Sequence, residues 1–249
     1  HAINRGEMPD IGYREGADFQ FLTFRPAQRD DEDAKRECRE QIAREIVRLA
    51  RDMYKLGFDP IRDVQVLAPM RRGPLGTQEL NKALQQALNP RPADVLEVFD
   101  TRWGVGDKVM QLRNNYEKNV YNGDIGYVHA VDHVERSITV DFDGNLVAYK
   151  VGELDELALA YAYTIHKSQG SECPVLIMPL DWSHWTMLKR NLFYTGVTRA
   201  KKLCVVVGQV QAAAKAVETS QNEERYTRLR EWLRAGLPKE MRELEEVEA

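Results

Sequence analysis

Leu157-Ala-Leu-Ala-Tyr-Ala-Tyr-Thr-Ile-His-Lys-Ser-Gln-Gly-Ser-Glu172, the apolar run Pro174–Leu180 behind it, and Tyr194-Thr-Gly-Val-Thr-Arg-Ala-Lys201 carry the rhythm of an α/β protein. Leu157–Tyr163 reads as a strand, and a helix is expected to open near Lys167. Pro174–Leu180 reads as a second strand, Trp185–Thr198 as a helix, and Leu203–Gly208 as a Val-rich strand of the kind buried on both faces. Strands alternating with helices place a parallel sheet at the centre of the fold.

The same rhythm holds upstream. Asp18–Phe24 alternates as a strand does. From about Asp31 to Leu56, the residues Ala34, Cys38, Ile42, Ile46, Leu49 and Met53 recur every three or four positions, which predicts one long amphipathic helix. The acidic run Asp30–Asp33 suits the positive end of its dipole, and Gly57 stops it. Asp63–Pro69 is a strand, Met70–Gly76 a basic, glycine-rich turn, and Thr77–Leu88 a helix. Between about Val95 and Glu156 the style changes. Lys108–Arg113, Ile125–Val131, Ser137–Phe142 and Leu146–Val151 are short strand candidates, with Asn122-Gly-Asp124 and Asp143-Gly-Asn145 as turns. Such turns between alternating runs predict a small antiparallel barrel inserted into the α/β domain. Downstream, Val210–Val217 and Glu223–Arg234 read as helices, and the acidic tail from Lys239 is expected to fray.

Composition narrows the class. Hydrophobic residues make up 43% of 249 and charged residues 30%, as in a globular cytoplasmic protein. No run approaches the roughly 18 apolar residues of a membrane helix. The three cysteines, Cys38, Cys173 and Cys204, have no zinc spacing and read as buried thiols. A net charge of −4 gives no hint of nucleic-acid binding, although a local basic stripe can bind while the whole is acidic. The start, His1-Ala-Ile-Asn-Arg-Gly6, has no signal-peptide character and reads as a position inside a longer chain.

Four stretches can carry chemistry. In Thr195–Lys201, Arg199 offers a planar fork of donors that matches phosphate oxygens, but residue type alone favours an arginine that caps a helix end and pairs with a carboxylate. Thr164–Glu172 stands at a strand-to-helix junction, where free N–H groups bind phosphate, or where Thr164 or Ser168 simply caps a helix. Pro69–Gly76 places Arg71 and Arg72 at another such junction; paired arginines are also common on solvated surfaces. In the barrel, Lys108, Arg113, Asn114, Tyr116, Lys118 and Tyr121 combine charge, amide and aromatic groups suited to a single strand, or else pack a small core and its turns. None of the 16 glycines is followed by lysine, so the Gly-x-x-x-x-Gly-Lys-Ser/Thr phosphate loop is missing from this sequence.

Taken in order, Val66-Leu-Ala-Pro-Met-Arg-Arg-Gly73, Gly106-Asp-Lys-Val-Met-Gln111, Asn122-Gly-Asp-Ile-Gly126, Ala160-Tyr-Ala-Tyr-Thr-Ile-His-Lys-Ser-Gln-Gly-Ser-Glu172 and Tyr194–Lys201 closely resemble the C-terminal part of RecD-like helicases. These belong to superfamily 1, in the class that moves 5′ to 3′, and related modules occur in TraA-type conjugation proteins. The resemblance covers roughly residues 1 to 210. It implies a RecA-like parallel-sheet domain of P-loop type without its own Walker A motif, carrying an inserted SH3-like barrel. The implied division is 1–98 and 157–236 for the RecA-like domain, 99–156 for the barrel, and 237–249 for a tail.

The resemblance also implies roles. Arg199 and Arg72 would be catalytic, with Arg71, Arg72, Gly170, Glu172 and Arg199 facing the nucleotide. Thr164, His166, Lys167, Ser168 and Gln169, with Lys108, Arg113, Asn114 and Tyr116 of the barrel, would face DNA. ATP and Mg2+ would be bound jointly with an N-terminal RecA-like domain of the same parent, and no residue here would ligate the metal. The implied partners are single-stranded DNA and recombination subunits. The fragment alone is expected not to hydrolyse ATP. The other reading is a helicase-like docking module without a motor.

Overall fold

The computed structural model describes residues 2–11, 16–28, 31–98 and 100–220. The expected helix Glu223–Arg234 and the tail lie outside the described residues, as does Asp30 of the acidic run. After a short helix α1 (Ala2–Arg5), the chain builds a five-stranded parallel sheet from β1 (Phe19–Thr23), β2 (Val64–Ala68), β10 (Ala162–Thr164), β11 (Cys173–Leu180) and β12 (Ala200–Gly208). Their order across the sheet is β1-β12-β11-β2-β10. Successive side chains point to opposite faces, so each apolar strand feeds two cores. Val66, Ile177 and Val205 pack under α2 (Glu32–Asp52) and α3 (Thr77–Leu88), against Ile42, Ile46, Leu80 and Leu84. Leu67, Met178 and Val206 pack under α4 (Arg190–Val197) and α5 (Val210–Glu218), against Phe193, Ala213 and Val217.

Three helices differ from expectation. The last turn of the first long one, Met53–Leu56, is a 3-10 turn closed by Gly57 at φ 82°. The expected helix Trp185–Thr198 is a 3-10 segment, Trp182–Met187, followed by the shorter α4. The helix expected from Lys167 is one 3-10 turn, Ile165–Ser168. Register explains this last difference. Thr164 lies beside Ala68, Val66 beside Ile177, and Cys173 beside Ala200. The link between Thr164 and Cys173 therefore crosses six residues of strand height, about 20 Å. An α-helix over its eight residues would rise only about 12 Å.

The second unit is antiparallel. β3 (Val95–Val98) and β4 (Thr101–Gly104) form a hairpin, and β5 (Lys108–Gln111), β6 (Ile125–Asp132), β7 (Ser137–Phe142), β8 (Asn145–Lys150) and β9 (Leu157–Leu159) form a sheet in the order β8-β7-β6-β5-β9. Asp143 and Gly144 both take positive φ between β7 and β8, which is what a two-residue hairpin turn needs. The stretch expected as one strand, Leu157–Tyr163, serves two sheets. Leu157–Leu159 pairs with β5, and Ala162–Thr164 with β2.

The two units are joined by buried polar groups at Asp107 and Lys108. Asp107 is fully buried, and its carboxylate accepts from Nδ2 of Asn89, just past the end of α3 (2.7 Å), the Gly104 N–H (2.7 Å), the Tyr161 hydroxyl (2.8 Å) and Gln85 Nε2 of α3. Gln111 accepts from the Tyr149 hydroxyl (2.8 Å) and donates to Glu156 (3.0 Å). Lys108 corrects an expectation. Instead of facing a nucleic acid, it is buried, and its Nζ donates to the carbonyl of Val64 (3.2 Å), fastening β5 to β2. Burial pushes this ammonium down to about 8.

Removing the Asp107 carboxylate leaves the Gly104 N–H and the Tyr161 hydroxyl unmet and takes one acceptor from each of the Gln85 and Asn89 amides. Asp107→Ala should cost about 3 kcal/mol or more in urea unfolding. Lys108 gives a pH signature. Its folded value lies below its ordinary 10.5, so the unfolded chain binds the extra proton between the two values, and stability rises with pH across that window. Relative to Lys108→Met, the unaltered chain should gain on the order of 3 kcal/mol between about pH 7 and about pH 10.5, read by urea titrations at both ends. Parallel pH profiles would contradict the buried ammonium.

Candidate functional site

The C-terminal edge of the parallel sheet gathers cations. After β2, the chain folds back on itself. Gly76 N–H donates to Gly73 (2.9 Å), Thr77 to Met70 (3.1 Å) and Gln78 to Arg71 (3.1 Å). A Cβ at Gly76 would stand 2.5 Å from the Arg72 carbonyl oxygen, so only glycine allows this closure. The backbone of Arg71 and Arg72 is thereby tied to the first turn of α3 while their side chains stay exposed. On the neighbouring strand, Thr164 is half-buried, and His166, Lys167 and Gln169 follow it exposed. Partial burial, and then the charge of Arg71, holds the Lys167 ammonium below its ordinary range. Two cations thus share a corner. Among the described residues, the side chains of Arg71, Arg72 and Lys167 have no hydrogen-bond or ion-pair partner. Some other cations of this chain are matched: Arg48 pairs with Glu45 and Asp52, Lys55 with Asp52, and Lys118 with Glu153.

From this corner a cleft of about 750 Å³ runs between α3 and the barrel. Arg71, Lys167 and Arg102 of β4 line it, along with Asn81 and Lys82 of α3 and two carboxylates, Glu79 and Asp100. Asn81 exchanges two hydrogen bonds with the backbone of Ala162 (2.7 and 2.8 Å), which fixes that wall. Arg102 went unnoticed in the sequence, because nothing local distinguishes it from any arginine on an exposed hairpin.

Other expected contacts fare differently. Ser168 is buried and its hydroxyl donates to the Ile165 carbonyl (2.6 Å), which corrects its reading as a DNA contact. Arg113 is exposed and pairs with Asp155 (2.9 Å). Asn114 accepts from the Asn122 N–H (2.9 Å), and Tyr116 stands exposed, edge-on to Tyr121 with ring centres 6.1 Å apart.

The opposite, N-terminal edge holds Arg199. Its Nε donates to the Thr195 carbonyl (3.1 Å), one terminal nitrogen to the Ser171 carbonyl (3.3 Å) and the other to the Thr198 hydroxyl (3.1 Å). It therefore caps α4, yet no carboxylate neutralises it, and two of its five N–H donors remain. Beside it, the exposed turn at Gly170, with φ 90°, leads into Glu172, which pairs with Lys201 (3.1 Å). The Cys173 N–H donates to the Arg199 carbonyl (2.9 Å). Arg71 and Arg72 are not brought to Arg199. They lie beyond Ala68, about six residues of strand height away, or roughly 20 Å.

Comparison with known proteins gives two domain matches. Residues 80–142 match the "ATP-dependent RecD-like DNA helicase SH3 domain", and residues 159–207 the "UvrD-like helicase C-terminal domain". The first match opens in α3 and so takes in Gln85 and Asn89, the amides that hold Asp107. The ATP-dependent RecD2 DNA helicase of Deinococcus radiodurans is 41% identical over 172 residues, 69% of this chain and 24% of that protein. The RecBCD enzyme subunit RecD of Mycolicibacterium smegmatis is 34% identical over 154 residues, 62% of this chain and 26% of that protein. The chain thus spans about a quarter of the length of these relatives. Among solved structures, a Bacteroides Pif1 bound to single-stranded DNA aligns with a TM-score of 0.43 and 19% identity, over 78% of this chain and 53% of that one. A likeness that loose is too coarse to place residues.

Proposed function

The chain belongs to the RecD-like helicases of superfamily 1 and carries their C-terminal part, and from that premise we propose that it is the responding half of an ATP-driven DNA motor. One observation carries the reading. A single extended link, Ile165–Glu172, starts at the cation-rich C-terminal edge and ends beside Arg199 at the other edge. Whatever moves Arg199 therefore pulls on the segment that bears His166 and Lys167.

In this reading, the cleft under Arg71, Lys167 and Arg102 takes the backbone of a single strand, whose phosphates supply the missing counter-charge. Arg199 takes the outer phosphate of ATP. Its two spare N–H donors, and the exposed backbone at Gly170 and Ser171, fit phosphate oxygens. Nothing here could enclose a whole nucleotide: the sequence has no phosphate loop, and among the described residues no cluster of three acids, histidines or cysteines could hold a metal ion. The phosphate loop and the ligands for Mg2+ would come from a preceding RecA-like domain. Closure of that domain onto the N-terminal edge would present Arg199 to the developing charge, a contribution of about 10³ to 10⁵ in rate for such arginines. The isolated chain would be inactive as an ATPase. Movement 5′ to 3′ follows from the family resemblance and calls for a directional unwinding assay on the parent.

In the parent, Arg199→Ala should lower DNA-stimulated ATP turnover by about 10³-fold or more while strand affinity changes little. Unchanged turnover would remove the finger. For the chain itself, affinity for oligo(dT) should fall steeply with salt, and Arg71→Ala or Lys167→Ala should each flatten the log–log slope by about one unit or less. A salt-independent affinity would rule out the strand path.

A further inference from the structure

The 3-10 segment Trp182–Met187 inverts the usual sorting of side chains. His184 is only 3% exposed, whereas Trp182 is 51% and Trp185 68% exposed. Large aromatic side chains normally go inward, and a histidine is the easier residue to leave in water. Here the histidine is locked in. Asp181 accepts from the Ser183 N–H (2.9 Å), the Asp181 N–H donates to His184 Nδ1 (3.4 Å), and burial pushes the imidazole down to about 4, so it stays neutral. The Trp182 N–H donates to Gln209 Oε1 (3.2 Å), which ties the segment to the end of β12 as well. Two indoles are therefore held outward on a braced turn.

Their place in the fold says what they meet. β2 leads to α3 on one face of the sheet, and β11 leads through this segment to α4 on the other. The crevice between two adjacent strands whose connections part in this way is where open α/β sheets bind ligands. The β2–β11 ladder pairs Val66 with Ile177, so three residues further on Pro69 and Leu180 leave the sheet as neighbours. Two residues beyond them stand Arg71 and Trp182. Arg71, which lines the cleft between α3 and the barrel, and the exposed indoles thus follow the C-terminal ends of two adjacent strands.

We propose that Trp182 and Trp185 form a stacking platform for unpaired bases of the same single strand whose phosphates Arg71, Arg72 and Lys167 hold. The inference rests on the strand path proposed above and adds base contact to it. Indole faces accept any base, so the platform would grip without reading sequence.

The test uses the 249-residue chain, with fluorescence anisotropy on oligo(dT) and on an abasic oligonucleotide of equal length. Trp182→Ala and Trp185→Ala should each weaken oligo(dT) binding about 5- to 100-fold and leave abasic binding unchanged, while Trp185→Phe recovers most of the loss. Arg71→Ala should weaken both ligands alike. Thermal unfolding of each variant checks that the fold is kept. Oligo(dT) binding that survives both tryptophan substitutions, or an equal loss on the abasic strand, overturns the platform and leaves the strand path standing. If the unaltered chain binds neither oligonucleotide, the platform and the strand path fall together.

Discussion

A carboxylate with no charged partner holds the two halves of this molecule in register. Asp107 is buried among donors from α3, from the β4 backbone and from the Tyr161 hydroxyl that precedes β10. The four donors come from three pieces of chain, so the bonds tie those pieces to one another. Because the group is dry, its geometry is enforced by the cost of leaving any donor unmet. Lys108, the next residue, reaches the other way to the Val64 carbonyl. Together these neighbours make the barrel a fixed wall of the cleft.

That rigidity gives meaning to the charges around the cleft. Among the described residues, Arg71, Arg102 and Lys167 have no ion pair, whereas Lys35, Arg36 and Arg48 on α2 do. Such surface pairs contribute little to stability, so the contrast concerns potential more than folding energy. Glu79 and Asp100 also line the cleft, so its positive charge is local, in a chain whose net charge is −4. The extended link from Thr164 to Cys173 ties this surface to Arg199, about 20 Å away along the strands.

Much of the architecture was readable from the residues. The stripe from Cys38 to Met53, the apolar runs at Val64–Ala68 and Leu203–Gly208, and the Asp143-Gly144 turn express local rules of period, burial and positive φ, and each became the expected element. Local rules failed where long-range geometry imposed a length. Thr164–Cys173 has good helix-opening chemistry, yet its ends are pinned too far apart for a helix. Leu157–Tyr163 has strand chemistry throughout, but nothing in it marks the handover from the antiparallel sheet to the parallel one.

The site divides along the same line. Residue type alone left Thr164–Glu172, Arg71–Arg72 and Arg199 open to ordinary capping or surface roles, and only their order along the chain, through the family resemblance, singled them out. Sequence could not tell which end of the sheet each would occupy, and it grouped Arg72 with Arg199 although strand register separates them. It also took Lys108 and Ser168 for contacts, since a lysine and a serine look alike in water and in a core until their partners are known. Period and propensity act over a few residues and are written in the chain. Burial, unmatched charge and the exposure of Trp182 and Trp185 depend on what packs opposite, and for that the chain has to fold.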